Sequence, residues 1–334
     1  MGPQAVPPAP AGSRGMRRRL FLGGLALPFT AASALAQPAW PARPVRMVVP
    51  LPVGGAADAI ARAIAQHLQA TLGTPWVVDN RPGASGTIGA DLVAKADPDG
   101  YTFLSHTSAI TIQPHMGHAP YEVLRDFVPV GQTIAGSYVL VTTPSFPAHN
   151  LREWIAAVRR APGRYSYGSH GSGSGPHLAM ELLKDAGDLY IVHVPFRGAA
   201  PALNELLAGR LDMSFETTFA ALPHIRAGRL KAIALGGPRT LDALPGVGTV
   251  AEVYPGFDTD GWQGLFAPAG TPATIVRRVS DETAGALHQP ALANRIVELG
   301  FRPVGSTPEQ FAALVRSDDD KWGRVVRERH IRPD

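Results

Sequence analysis

The chain has 334 residues, 45% of them hydrophobic and 17% charged, which exceeds the usual size of one core and sets two lobes as the expectation. Its formal charge of +4 is matched by Arg14, Arg17, Arg18 and Arg19 near the start; the remainder is almost neutral, and no basic stretch interleaved with aromatics gives the footprint of a nucleic-acid binder. There are no cysteines, so thiol chemistry and thiolate metal sites are excluded.

From Met16 the chain runs through three arginines into an apolar stretch, Leu20 to Leu35, and reaches Ala34-Leu35-Ala36 before Gln37. That layout reads as a cleavable export signal over residues 1–36, with 1–15 as an upstream extension. The apolar stretch is short for a membrane span and is broken by Gly23, Gly24 and Pro28. Arg18-Arg19-Leu20-Phe21-Leu22 also fits a twin-arginine signal, so Tat and Sec export both stand.

Beyond the signal, strands alternate with helices. Val45 to Pro50 reads as a strand, the glycine turn follows, and Ala59 to Leu72 is amphipathic. The pattern repeats with a strand Pro75 to Asp79, a glycine-rich loop Arg81 to Gly86, a helix Ile88 to Lys95 and a strand Tyr101 to Ser105. A second series comprises strands Tyr138 to Thr142, Tyr165 to Gly168, Tyr190 to Val194, Met213 to Phe215 and Ala232 to Leu235. Its helices are Leu151 to Ala161, the one after Pro176, Ala199 to Ala208 and Ala220 to Ala227. Gly264 to Pro268 returns as a strand, and helices follow at Pro272 to Leu287, Pro290 to Leu299 and Pro308 to Arg329. Thr307-Pro308 has the form of an N-cap with proline at the first helical position. Such alternation implies α/β architecture with a sheet in each lobe. If the tail packs on the first lobe, the chain crosses between lobes twice and a hinged cleft results. The expected division is 38–142 with 258–334 as lobe 1, and 143–257 as lobe 2.

Two glycine loops lie where a strand enters a helix: Pro52-Val53-Gly54-Gly55-Ala56-Ala57 and Ser169-His170-Gly171-Ser172-Gly173-Ser174-Gly175. The first N–H groups of a helix lack partners, and the helix dipole favours an anion there. Both loops are therefore candidate anion grips, one per lobe. Asp58 is expected to cap the first helix, because a bare carboxylate would repel an anionic ligand. Gly171-Ser172-Gly173-Ser174-Gly175 places glycine where a nucleophile elbow needs serine, and neither a P-loop nor a dinucleotide fingerprint fits. His106, His115 and His118, and His170, His177 and His193, show no helical zinc spacing, so no metal is expected. His170, inside the loop, is the histidine expected to donate to a ligand carboxylate, while His177 is expected to bond within its lobe. The five tryptophans are expected in cores, with Trp262 also a candidate for the cleft wall.

Several blocks together resemble one family: PVRMVVPLPVGGAAD, VVDNRPGASGTIGADLVAKADPDGYTFL, YSYGSHGSGSGPHLAMELL, HVPFRGAAPALNELLAGRLDMSF, GLFAPAGTP and PVGSTPEQFAALVRSDDDKWGRVV. They are similar, from about Pro44 to Ile331, to the Bug (TctC-type) receptors of tripartite tricarboxylate transporters. The resemblance implies a two-lobed periplasmic binding protein of type II fold, with two mixed sheets flanked by helices, a hinge and a central cleft. It implies a monomer without a cofactor or catalytic residues, which captures a small organic carboxylate and delivers it to membrane transporter subunits. Carried over, the ligand-binding positions are Pro52, Val53, Gly54, Gly55, Ala56, Ala57, Ser85, His106, Ser169, His170, Gly171, Ser172, Gly173, Ser174, Phe196, Arg197, Gly198 and Glu216. Three departures point to an altered ligand. Ala56-Ala57 replaces the usual Ser-Thr, His170 replaces a small residue, and Glu216-Thr217 stands where Asp is common. Glu216 is expected to meet an amine or hydroxyl of the ligand. Two other readings remain open at this stage, a periplasmic hydrolase using Ser169, Ser172 or Ser174 with a histidine, and a sensing domain for a membrane partner.

Overall fold

The computed structural model describes residues 40–117, 119–328 and 331. The expected export signal, 1–36, and His118 lie outside the described residues. The fold begins with β1 (Val45–Val49), whose Val45, Met47, Val48 and Val49 are fully buried, as a strand covered on both faces requires. It pairs in parallel with β2 (Trp76–Asn80) and β3 (Thr102–Thr107). Helix α1 (Ala56–Leu72) follows β1 and buries Ile60, Ala61, Ile64, Ala65 and Leu68, the single stripe that 3.6-residue periodicity brings to one side. Burying each such aliphatic side chain contributes about 1.5–3 kcal/mol relative to leaving it in water. The helix ends at Gly73 in the left-handed region, φ 70°. Helix α2 (Thr87–Ala94) joins β2 to β3, and two short turns, α3 (Ala109–Ile112) and α4 (Val123–Asp126), precede β4 (Phe127–Gly136).

A single residue, Ser137, separates β4 from β5 (Tyr138–Thr142), and there the chain passes into a second sheet. That sheet contains β5, β6 (Ser166–Ser169), β7 (Val192–Pro195), β8 (Met213–Thr217) and β9 (Lys231–Leu235) in the order β7-β6-β8-β5-β9. Its helices are α5 (Leu151–Arg160), α6 (Gly175–Gly187), α7 (Ala199–Leu207) and α8 (Thr218–Arg226). Its core centres on Trp154, Tyr167, Phe215 and Met213, all fully buried. The division expected at residue 142 assigned Tyr138–Thr142 to the first lobe. Its pairing with β8 and β9 puts it in the second sheet instead, and the passage falls at Ser137.

The return leads into β10 (Gly261–Pro268), which lies antiparallel between β3 and β4 and completes the order β11-β4-β10-β3-β1-β2 with β11 (Arg302–Pro303). Helices α9 (Ala273–Leu287), α10 (Pro290–Glu298) and α11 (Pro308–Glu328) finish the first lobe. Thr307 and Gln310 bond reciprocally at the start of α11, Oγ1 accepting the Gln310 N–H at 3.3 Å and Oε1 accepting the Thr307 N–H at 3.0 Å. Two mixed sheets flanked by helices, joined by two crossings, give the two-lobed architecture that the sequence implied. The crossings are tied together. The Gly236 amide donates to Tyr138 O at 2.8 Å, Thr259 N–H donates to Gly236 O at 2.9 Å, and the Ser137 hydroxyl bonds Asp260 Oδ1.

Candidate functional site

The predicted site residues fall largely at the carboxyl ends of parallel strands: the β1–α1 loop, the β2–α2 loop and the end of β3 in one lobe, and the ends of β6, β7 and β8 in the other. In open α/β sheets this is the edge where ligands are held.

In the first lobe, Pro52, Val53, Gly54 and Gly55 are exposed, Val53 to 70%, while Ala56 and Ala57 are half-buried. The N-cap of α1 is Gly55, which has no side-chain cap. Asp58 was expected in that capping position; it sits instead in the first turn, 2% exposed, and its carboxylate reaches back to accept the Gly54 N–H at 2.9 Å. Arg62 Nε and Asn80 Nδ2 donate to the same carboxylate at 3.0 and 2.9 Å, and Asn80 also donates to Leu51 O at 3.1 Å. Burial alone pushes the Asp58 carboxyl up, but the bonds from Arg62, the Gly54 amide and Asn80 outweigh it and hold the group below its ordinary range. The loop is thus anchored while its helix start stays uncapped and the local negative charge is matched. From below, Gln263 on β10 donates through Nε2 to Ala57 O at 3.0 Å and to Ser105 Oγ at 2.7 Å. Neither Asn80 nor Gln263 was a candidate from sequence. An amide-bearing residue beside a glycine loop, as in Asp79-Asn80-Arg81, is the signal for the first; Gln263 lies 206 residues from Ala57 and carries none.

The β2–α2 loop holds Ala84 and Ser85 at positive φ, 47° and 54°, with Ser85 exposed. Non-glycine residues in that region store strain of order 1–3 kcal/mol, a cost concentrated at functional sites. Beneath it lies His106, fully buried. Its Nδ1 accepts the Thr107 N–H at 2.8 Å, so the ring proton is on Nε2, which has no partner among the described residues. Burial pushes its pKa down to about 3, and the imidazole is neutral. A Cβ on Gly86, the residue before α2, would fall 2.6 Å from that Nε2.

In the second lobe the expected anion-gripping loop is largely occupied with itself. Gly171 N–H donates to Ser169 Oγ at 3.2 Å, Gly173 N–H to His177 Nδ1 at 3.0 Å, and Ser174 N–H to Gly171 O at 3.1 Å. Ser174 is the N-cap of α6, its hydroxyl accepting the His177 N–H at 3.4 Å. The rings of Tyr167, His193 and His177 stack behind it, the two imidazoles 4.0 Å apart and 7° from parallel. Ser169 Oγ lies 2.7 Å from His193 Nε2, a hydroxyl beside a base, but Ser169 is fully buried. Ser172 is half-buried in the same loop. Phe196 N–H donates to Ser169 O at 3.1 Å, which ties the Phe196-Arg197-Gly198 turn to the loop; Arg197 is exposed, and Gly198 is the N-cap of α7 without a side-chain cap. Glu216, at the end of β8, is fully buried, with Oε1 accepting from Ser214 Oγ at 2.8 Å and Oε2 2.9 Å from His170 Nε2.

The lobes meet at these strand ends. Gln113 Nε2, beyond β3, donates to Gly173 O at 3.4 Å, and the Met116 side chain packs on Gly173. Ile112 and Met116 join Leu178 of α6 and Trp322 of α11 in one buried apolar cluster. The β1–α1 loop, by contrast, has no hydrogen bond to the second lobe among the described residues. Trp262 does not line the cleft. It is 5% exposed, packs on Phe311, and donates through Nε1 to Asp318 at 2.6 Å.

Residues 60–331 match the family described as "Tripartite tricarboxylate transporter family receptor". The chain belongs to this family. The receptor is 36% identical to Protein BugT of Bordetella pertussis over 94% of its own length and 98% of BugT. Among solved structures it resembles Rpa4515 of R. palustris with adipate, TM-score 0.80 and 33% identity, covering 88% of this receptor and all of that chain. It also resembles MatC (Rpa3494) from Rhodopseudomonas palustris with bound malate, TM-score 0.74 and 32% identity, covering 86% of the receptor and 99% of that chain.

Proposed function

We propose that this receptor is exported to the periplasm, closes its lobes over a small organic carboxylate and hands it to the membrane subunits of a tripartite tricarboxylate-type transporter. The observation that carries this reading is the uncapped start of α1 at the carboxyl end of β1. Gly55, Ala56 and Ala57 present backbone N–H groups there, and the Asp58 carboxylate beside them is paired with Arg62 and hydrogen-bonded by Asn80. Adipate in Rpa4515 and malate in MatC, both in chains of the same fold and family likeness, support a carboxylate as cargo.

A buried anion without hydrogen bonds is costly, so closure is favoured only when both lobes supply donors to a bound ligand. No bond is made or broken in this cycle. A hydrolase reading has one observation on its side, the Ser169–His193 contact. Against it stand the full burial of Ser169 and its use as the acceptor for the Gly171 amide.

The test is a thermal-shift screen against small mono- and dicarboxylates. A ligand at a hundredfold excess over its dissociation constant stabilises the folded state by about 2.7 kcal/mol. At least one acid is expected to raise the melting temperature by several degrees. No shift with any acid at millimolar concentration would remove the carboxylate reading.

A further inference from the structure

Gln263 is the polar exception on its face of β10. It is 1% exposed, and Leu265, two residues on and on the same side of the strand, belongs to the apolar core beneath α1 with Val45, Met47, Ile60 and Ile64. The strand is pinned at this point: Gln263 pairs with Thr107 of β3 and Ile134 of β4, and its carbonyl accepts the Thr133 hydroxyl at 2.9 Å. Both hydrogens of Nε2 are used, on Ala57 O at 3.0 Å and on Ser105 Oγ at 2.7 Å. Oε1 is buried with no hydrogen-bond partner among the described residues. An unbonded buried acceptor is a cost that an apolar side chain of the same length would avoid, so the contribution of this amide lies in what Nε2 holds.

Ala57 O belongs to the first turn of α1, and among the described residues Gln263 is the side chain that bonds the main chain of that turn; Asp58 and Asn80 reach back to Gly54 and Leu51, before the helix. The Ala57 carbonyl and the Asp58 N–H lie in one peptide plane, so fixing the first fixes the direction of the second. Asp58 N–H is the innermost of the four amides that helical bonding leaves free, since the Ala59 N–H already donates to Gly55 O at 3.0 Å.

We propose that Gln263 is the positioning residue of the α1 start: anchored in the first sheet, it sets the Ala57–Asp58 peptide so that the free amides of the first turn are aimed before a ligand arrives. The proposal rests on the carboxylate-receptor reading and says how its first lobe is prepared. Gln263 touches the helix and not the ligand. A helix start without a side-chain cap frays, and a ligand that binds a frayed turn must first order it, which lowers affinity without removing any contact. Gln263 removes that ordering step. Its strand enters the lobe directly after Asp260, the residue bonded to Ser137 at the crossing, so the turn is registered on the strand that leaves the hinge.

The test combines calorimetric titration with adipate and malate, urea denaturation and amide hydrogen exchange on the wild type, Gln263→Met and Ser105→Ala. Gln263→Met keeps the length of the side chain and donates nothing. It should weaken binding of whichever acid the wild type takes by about tenfold, the size of one lost hydrogen bond to a charged group. Its urea midpoint should stay near that of the wild type, because the unbonded Oε1 goes with the two bonds. In the unliganded variant the Ala59, Ile60 and Ala61 amides should exchange about fivefold faster or more, with Ile64 to Leu68 unchanged and the difference gone at saturating ligand. Ser105→Ala removes the core partner alone and should hold affinity within about threefold. If Gln263→Met does not fold, the double variant Ser105→Ala/Gln263→Met, which also removes the hydroxyl left without its donor, gives the same readouts. A lesion of the core would lower the midpoint and the affinity together. Wild-type affinity and wild-type exchange in Gln263→Met, or an equal loss of affinity in Ser105→Ala, overturns the positioning role and leaves the receptor reading intact. Faster exchange in the variant of a protein that binds no carboxylate overturns the receptor reading instead.

Discussion

A Cβ atom on Gly175 would lie 2.2 Å from the Tyr138 hydroxyl and 2.7 Å from the ring carbon that bears it. The first turn of α6 is thus packed directly on the first residue of β5, where the chain enters the second lobe. Burial, with Asp318, Glu216 and Asp260 in electrostatic range, pushes the Tyr138 hydroxyl up to about 12, so it stays protonated. Gly175→Ala should cost about 1–3 kcal/mol, the usual range for overpacking, read from urea denaturation at pH 7. Unchanged stability would mean that Tyr138 yields at no cost and the contact does not set the approach of α6.

Asp58→Ala removes the acceptor that gathers the Gly54 amide, Arg62 and Asn80. Leaving these donors unpaired should lower stability at pH 7 by about 1–3 kcal/mol. The folded carboxyl is held below its unfolded value of about 3.9, so its contribution is complete above that pH and lost as the pH falls through the lower folded value. Denaturation curves of wild type and variant should therefore converge below about pH 4. A constant gap from pH 7 to pH 3 would show that the charge plays no part.

His106 offers the complementary case. Its folded pKa, pushed down to about 3 by burial, lies below an unfolded value of about 6.5, so between the two the unfolded chain takes up a proton that the folded chain refuses. The neutral ring's contribution is complete above about pH 6.5 and is lost as the pH falls toward 3. His106→Asn retains an acceptor for the Thr107 amide and does not titrate. Between pH 7 and pH 5 the wild type should lose about 2 kcal/mol more stability than this variant. Parallel losses would place the titration elsewhere.

Gly55→Val tests the α1 start without disturbing the fold. The backbone at Gly55, φ −74° and ψ 166°, suits a β-branched residue, and the nearest atom to an added Cβ is Pro52 O at 3.8 Å. Unliganded stability should change by no more than about 0.5 kcal/mol, as for other exposed positions. The thermal shift given by a binding carboxylate should disappear because the side chain covers the first amides. A shift of wild-type size would remove this loop from the site.

Most helices and strands were legible because each carries its own period. The Ile60, Ile64 and Leu68 stripe of α1 and the apolar run of β1 need no distant partner to be recognised. β4 was not foreseen. Its sequence, FVPVGQTIAG, contains Pro129, Gly131 and Gly136, which read as strand breakers. It persists because β10 pairs along its length with register shifts at Gln263/Gly264 and Leu265/Phe266, the second beside Pro129, which pairs with Phe266. A strand stabilised mainly by its neighbour has little local signal.

The site divides in the same way. Glycine-rich turns between strands and helices, and the family resemblance they carry, are properties of short contiguous stretches, so the position of the loops, the two-sheet α/β fold and the receptor family could be read from the amino-acid order. Which donors those loops keep for a ligand depends on partners far along the chain: His170 with Glu216, 46 residues away, Ser169 with His193, and Asp58 with Asn80. Hydrogen bonds are short and directional. Only the packing of separate strands brings those atoms within 3 Å, and so the tertiary structure alone decided that Asp58 anchors its loop and that Glu216 is occupied by Ser214 and His170.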